Sequence, residues 1–298
     1  NVMDSTTVAN NPTETSTATG GSFEITGGTK LSGSIEPQGA KNEALQVLCT
    51  VLLTSERVII ENVPEIRDVL KLIELLGKMG VIVERLKPNV YAFEAKEVNM
   101  DYLQTKEFTK LAASLRGSIM IVGPLLARYG KAHIPKPGGD KIGRRRLDTH
   151  FIGFQNLGAK FNFDTTENFF TVEAPKLKGT YMLLDEASVT GTANIVMAAV
   201  MAEGTTTIYN AACEPYLQQL CKMLNAMGAK ISGIGSNLLV IEGVTSMHGT
   251  THRILPDMIE VGSFIGLAAM TQSEITIKNV GLQHLGIIPA TFQRLGIK

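Results

Sequence analysis

The feature that most constrains this chain is a unit that recurs four times. Residues 57–84, RVIIENVPEIRDVLKLIELLGKMGVIVE, have a counterpart in 206–232, TTIYNAACEPYLQQLCKMLNAMGAKIS, and both read as a short strand, a turn, an amphipathic helix and a second strand. One helical face is marked by Ile66, Val69, Leu70, Ile73 and Leu76 in the first, and by Leu217, Leu220, Cys221 and Leu224 in the second. Shorter relatives of the unit run over 131–161 and 274–298. In every copy an Ile stands two residues before an anchor position, which is Asn62, Lys136, Asn210 or Asn279. The helix that follows is expected to stop at a glycine, Gly80, Gly158, Gly228 or Gly296. A unit of this kind cannot bury its apolar face alone, so the copies must stack around a shared core.

The copies differ in one place. Anchor and glycine are 22 residues apart in the second copy and 17 or 18 in the others, and the extra residues fall in the stretch from Pro137 to Asp140. An insertion confined to one copy belongs on a surface loop, where function concentrates. Upstream of each anchor lies a stretch that is apolar nearly all round, 41–54, 115–129, 188–204 and 259–270, which predicts helices buried inside a domain. Their polar residues gather at the N-terminal ends: Lys41 and Asn42, Arg116, Ser188 and Thr190, and Glu260. A helix start offers unpaired backbone N–H groups and a partial positive charge, so these positions suit phosphate or carboxylate. Each unit is therefore about seventy residues of mixed strands and helices, an α/β chain, and the fourth is expected to stop inside the repeat, two residues past its glycine.

Composition narrows the partner. Charged residues make up 19% of the chain at a formal net charge of zero, which predicts a small ligand and no nucleic acid. The cluster Arg144 to Arg146 is short and lacks aromatic neighbours, as expected of solvated charges. Cys49, Cys213 and Cys221 form no CxxC pair and the five histidines never fall at HExxH spacing, so reduced thiols and no metal are expected. Residues 1–21 read as a disordered tail without the basic and apolar regions of a secretory signal, and no apolar run reaches the eighteen residues of a membrane span. A cytoplasmic location is expected.

Six ordered motifs carry a resemblance: GAKNEAL (39–45), LRGSIMIVGPLLARYG (115–130), PGGDKIGRRRLDTH (137–150), ASVTGTANIVMAA (187–199), NAACEP (210–215) and ILPDMIEVGSF (254–264). From about residue 22 to 298 the chain resembles the UDP-N-acetylglucosamine 1-carboxyvinyltransferase family. The resemblance implies the enolpyruvyl transferase fold, two domains each built of three βαβαββ units as an inside-out α/β barrel, with the active site in the cleft between them. It implies a complete three-repeat domain over 41–250, and a second, incomplete domain over 22–40 plus 251–298. The implied reaction adds the sugar 3′-hydroxyl of UDP-N-acetylglucosamine to C2 of phosphoenolpyruvate, delivers a proton to C3 and expels phosphate, the first committed step of peptidoglycan synthesis. Those two small molecules are the implied partners, with no cofactor, metal, nucleic acid or membrane.

The same resemblance implies a site. Lys41, Asn42, Arg116 and Arg145 would hold phosphoenolpyruvate, with Lys41, Arg145 and Asp140 catalytic. Asn42, Arg116, Arg145, Arg146, Leu147, Asp148, Thr149, Glu186, Ala187, Ser188 and Val189 would hold UDP-N-acetylglucosamine. Arginine suits this work because its planar fork pairs bidentately with oxyanions. Without the resemblance, Lys41 and Asn42 read equally well as a solvated cation and a cap, and Arg116 as a charge needing a partner at the start of an apolar helix. Three departures stand out: Asp140 where most relatives carry Cys, Arg146 where many have Pro, and Glu186 where some have Lys. Further groups, including the Asp proposed as base for the sugar hydroxyl, would lie beyond residue 298.

A free Asp titrates near ~3.9 and a free Cys near ~8.5, so Asp140 is expected to hold a proton only in a closed, substrate-filled site. Epoxide antibiotics of the fosfomycin type alkylate the thiolate, so resistance to them is expected. Two rivals stand beside this reading. One is a 3-phosphoshikimate 1-carboxyvinyltransferase, against which the PGGDKIG and ASVTGT segments argue. The other is a non-catalytic, truncated nucleotide-sugar-binding paralogue, against which Lys41, Arg116 and Arg145 argue.

Overall fold

The computed structural model describes residues 22–136 and 146–298. The first part of the chain forms β1 (Ser32–Ile35), α1 (Lys41–Val47) running into a 3-10 turn (Leu48–Leu53), β2 (Val58–Glu61), α2 (Arg67–Lys78), β3 (Ile82–Lys87) and β4 (Val90–Glu94). A 3-10 turn (Met100–Gln104) and α3 (Lys106–Ala113) lead to a further 3-10 segment (Arg116–Ile121) that continues as α4 (Val122–Tyr129). Then come β5 (Lys131–Pro135), α5 (Asp148–Asn156), β6 (Lys160–Asp164) and β7 (Phe169–Glu173). The third unit contains β8 (Tyr181–Leu183), α6 (Val189–Ala199), β9 (Thr205–Tyr209), α7 (Pro215–Ala226), β10 (Lys230–Ser232) and β11 (Leu238–Glu242). The chain closes with β12 (Thr251–Arg253), α8 (Met258–Met270), β13 (Glu274–Ile277) and α9 (Ile288–Arg294).

The repeat is visible strand by strand. Two four-stranded sheets have the orders β12-β2-β4-β3 and β8-β9-β11-β10, so β2 and β9 each lie between a parallel partner and an antiparallel one. β13 likewise pairs in parallel with β1. After each of these three strands comes the anchor asparagine, in the left-handed region at φ 57°, 59° and 52° for Asn62, Asn210 and Asn279. Asn is the side chain besides glycine that visits this region most readily. Each amide then donates to the residue just past the parallel partner strand: Asn62 Nδ2 to the Ile254 carbonyl at 2.9 Å, Asn210 Nδ2 to the Leu184 carbonyl at 2.9 Å, and Asn279 Nδ2 to Glu36 Oε1 at 2.8 Å. The helix exits repeat as well, with Gly80, Gly158 and Gly228 at φ 105°, 98° and 103°, which ends each helix where an L side chain would be strained.

The second unit breaks the pattern. Its sheet, β5-β7-β6, has three strands among the described residues, and Lys136 stands where the asparagine would be. β5 also lies against Met100–Gln104 and α3.

Helices occupy the interior and sheets the outside. α1 with Leu48–Leu53, the segment 116–129 and α6 are buried together, whereas every residue of β1 and most of β3 are exposed. The inner helices approach closely because small residues line their contacts: a Cβ on Gly123 of α4 would stand 2.3 Å from the Asn194 carbonyl oxygen of α6. This is the inside-out α/β arrangement, and among the described residues no single helix is long and apolar enough to cross a membrane.

One expectation needs correction. The apolar pattern of 259–270 predicts a buried helix, yet in α8 only Val261 is buried, and Met270 is 86% exposed. All-round apolarity marks a helix that needs cover, but α8 rests on β13 with Ile288 of α9 near Gly262, and its other residues stay partly or fully exposed. In addition, β12 places residues 251–253 in the sheet of the first unit, past the expected boundary at 250.

Candidate active site

Three helix starts converge on one cavity of about 840 Å³. Lys41 and Asn42 enter it from the first turn of α1, Arg116 from the start of its 3-10 segment, and Val189 and Thr190 from the first turn of α6. α1 has no side-chain cap: Ala40 precedes it, and the Lys41 N–H reaches Asp257 Oδ2 only at 3.4 Å. α6 is capped by its own Ser188, whose Oγ accepts the Gly191 N–H at 3.1 Å.

The cavity wall is more basic than the expected residues alone would make it. Arg67 and Lys71, one turn apart on α2, join Lys41 and Arg116, and the facing carboxylates are Asp68 and Glu214. Lys41 Nζ forms an ion pair with Asp68 Oδ2 at 2.5 Å, both side chains being about two-fifths exposed. Four cations against two carboxylates give a field that favours an anionic ligand. Leu45, Ile119, Met120, Leu147 and Ile259 supply apolar wall beside it.

The other expected residues fall into two adjoining segments. Arg146 donates from Nε to Asp148 Oδ2 at 2.7 Å, an exposed pair beside the start of α5. Thr149 Oγ1 donates to Glu186 Oε1 at 3.1 Å and so joins the segment 146–150 to the turn Glu186, Ala187, Ser188 that leads into α6. The fit there is tight, since a Cβ on Gly191 would stand 2.8 Å from Thr149 Cγ2. Of the expected set, Lys41, Asn42, Arg116, Leu147 and Val189 line the cavity, while Arg146, Asp148, Thr149, Glu186, Ala187 and Ser188 lie alongside it. Asp140, Arg145, the neighbouring Lys141 and Arg144, and the tail 1–21 lie outside the described residues.

Several lining residues escaped the sequence reading. Tyr216 is one; its hydroxyl accepts the Met258 N–H at 3.1 Å and lies 3.5 Å from Asp257 Oδ1, and burial raises its pKa. The NAACEP motif ended one residue short of it. His150 is another. It is 3% exposed, and burial followed by the charge of Arg116 pushes its pKa down to about 4, so the ring is neutral at neutral pH. Its position as the last residue of PGGDKIGRRRLDTH was the available signal.

Comparison with known proteins follows the same lines. The model of the EPSP synthase (3-phosphoshikimate 1-carboxyvinyltransferase) family matches residues 25–298. A UDP-N-acetylglucosamine 1-carboxyvinyltransferase of Bacteroides thetaiotaomicron is 65% identical over 93% of this chain and 64% of its own length. One of Porphyromonas gingivalis is 60% identical over the same shares. The chain thus spans 64% of the length of these curated relatives. Among solved structures, the enolpyruvyl transferase NikO from Streptomyces tendae is similar with a TM-score of 0.65 at 20% identity, covering 80% of this chain and 55% of that one. An EPSP synthase from Acinetobacter baumannii is similar with a TM-score of 0.67 at 20% identity, covering 91% and 60%. At that identity the likeness speaks to the fold.

Proposed function

The chain belongs to the EPSP synthase family of enolpyruvyl transferases, and from that premise we propose that it acts in the transfer of the enolpyruvyl group of phosphoenolpyruvate to the 3′-hydroxyl of UDP-N-acetylglucosamine. The observation that carries this reading is the convergence of Lys41, Asn42 and Arg116 from separate helix starts on one basic cavity. The choice of acceptor is supported by identities of 60–65% to relatives named for UDP-N-acetylglucosamine, against 20% to an EPSP synthase structure.

The chemistry sets the roles. As the sugar oxygen adds to C2 and a proton arrives at C3, the phosphate and carboxylate stay anionic, and both need fixed cations. Lys41 and Arg116 serve here, with Asn42 as a neutral donor, and Arg145 joins them by its place in the motif. Donors held in place before reaction cost no reorganisation as charge develops. Asp140 is the proton carrier for C3, by its place in the PGGDKIG motif. Arg146, Leu147, Asp148, Thr149 and the segment from Glu186 to Val189 hold the nucleotide sugar. Residues 22–40 and 254–298 form part of a second domain beside 41–253, a division supported by the β1–β13 pair and by the place of β12 in the sheet of the first unit. With two phosphorylated, water-soluble substrates, the enzyme works in the cytoplasm on the first committed step of peptidoglycan synthesis.

Thermal unfolding with each acceptor at millimolar concentration tests the reading. UDP-N-acetylglucosamine is expected to raise Tm by a few degrees and shikimate 3-phosphate to leave it unchanged; the reverse order would reassign the acceptor.

A further inference from the structure

The buried imidazole of His150 has no part in the roles above, yet its surroundings fix its hydrogen. Asn194, fully buried in the middle of α6, makes three hydrogen bonds through one amide. Its Oδ1 accepts the Gly123 backbone N–H at 2.8 Å, and its Nδ2 donates to the Ile119 carbonyl at 2.9 Å. A backbone N–H can only face an oxygen and a carbonyl can only face an NH2, so the amide cannot be turned around. The second hydrogen of Nδ2 therefore points at His150 Nδ1, 3.0 Å away, and that ring nitrogen must carry the lone pair. In a neutral ring the proton then sits on Nε2. Nε2 faces Thr190 Oγ1 at 3.5 Å, a long contact of the kind that tightens when a ligand arrives, and both residues line the cavity.

We propose that Asn194 and His150 are positioning residues that polarise Thr190, so that the Thr190 hydroxyl, receiving the imidazole N–H, turns its own proton to an acceptor oxygen of the anionic ligand in the cavity. This rests on the nucleotide-sugar reading of the site. A hydroxyl that accepts from behind keeps its own hydrogen for another acceptor, and Thr190 lines the cavity where such an acceptor would sit. Because the ring is neutral, the donor adds no charge to a wall that already holds Lys41 and Arg116. It adds orientation instead, at the first turn of a helix already capped by Ser188.

Two measurements on the 298-residue chain test this. In nitrogen-15 spectra of labelled histidine at pH 6 to 8, one ring is expected as the neutral Nε2–H tautomer, unchanged by pH and missing in His150→Gln. An Nδ1–H tautomer or a cation for that ring would overturn the proposal. In calorimetric titrations with UDP-N-acetylglucosamine, Thr190→Val is expected to weaken binding about tenfold, the loss of one hydrogen bond to a charged acceptor, and Thr190→Ser to restore most of it. His150→Asn, whose amide reaches only as far as Nδ1, should weaken binding to a similar degree, and His150→Gln, whose amide nitrogen falls where Nε2 stood, should recover part of the loss. The histidine variants alter the core, so Thr190→Val on the cavity wall decides the matter if they fail to fold. Wild-type binding unaffected by Thr190→Val would overturn the donor role alone, whereas a wild-type chain that does not bind the nucleotide sugar would overturn the functional reading and this inference with it.

Discussion

At the scale of single residues, the proposed proton carrier Asp140 and the buried His150 each give a test. Asp140→Asn keeps the size of the side chain and removes its proton, so phosphate release from phosphoenolpyruvate is expected to fall about a hundredfold or more. Asp140→Cys should make the enzyme form a covalent adduct with a fosfomycin-type epoxide, visible by mass spectrometry, where the wild-type loop forms none. For His150 the consequence is one of stability. Its pKa lies at about 4 in the folded chain and near ~6.5 in the unfolded one. Between those values the unfolded chain holds a proton that the folded chain does not, so stability is lost as pH falls through that window, by about 3 kcal/mol in all. His150→Gln removes this contribution, and urea unfolding at pH 7 and pH 4.5 should show a smaller acid loss than the wild type. The behaviour of His150 does not follow from residue type alone. Lys41, Asn42 and Arg116 were legible because a polar residue opening an apolar helix is a local contradiction. His150 was not, because its neutrality comes from burial and then from the charge of Arg116, and its tautomer from Asn194, all of which act on it only in the folded chain.

At the scale of elements, the three anchor asparagines, Asn62, Asn210 and Asn279, and the close helix contacts carry the architecture. Asn210→Ala removes the bond to the Leu184 carbonyl and leaves an alanine in the left-handed region, at a cost of about 2 kcal/mol in chemical unfolding. Asn210→Gly loses the bond but not the conformation and should cost about 1 kcal/mol. Gly123→Ala sets a methyl group against the backbone of α6, with no flexible side chain to yield, and should cost about 2 kcal/mol or more. The strands and helices of the repeat were readable because their periods of two and 3.6 residues are local. Arg67 and Lys71 show where such reading stops. On an amphipathic helix, cations spaced by one turn look the same whether they face water or a cavity wall, and α2 faces both. The exposure of α8 has the same origin, since its sequence states that it needs cover and not what supplies it.

At the scale of the whole molecule, the cavity belongs to no single unit, because α1, α2, α6 and the 116–121 segment each supply part of its wall. Its excess of cations should make phosphoenolpyruvate binding fall severalfold as potassium chloride rises from about 0.05 to about 0.5 M, a dependence that calorimetry would resolve. The assembly itself could not be read from the sequence, because it rests on long-range meetings such as Thr149 with Glu186 and Lys41 with Asp68. Yet the one irregular interval, from Lys136 to Gly158, already marked the second unit as different. In that unit the anchor asparagine is missing, and β5 has no parallel neighbour among the described residues. Where three seams are riveted by an amide, the fourth has Lys136 in that place, and the extra residues of the interval follow it in sequence. Broken symmetry of this kind divides labour among near-identical parts: the copies that keep the rivet bear the load, and the copy without it is the one whose interval is free to lengthen.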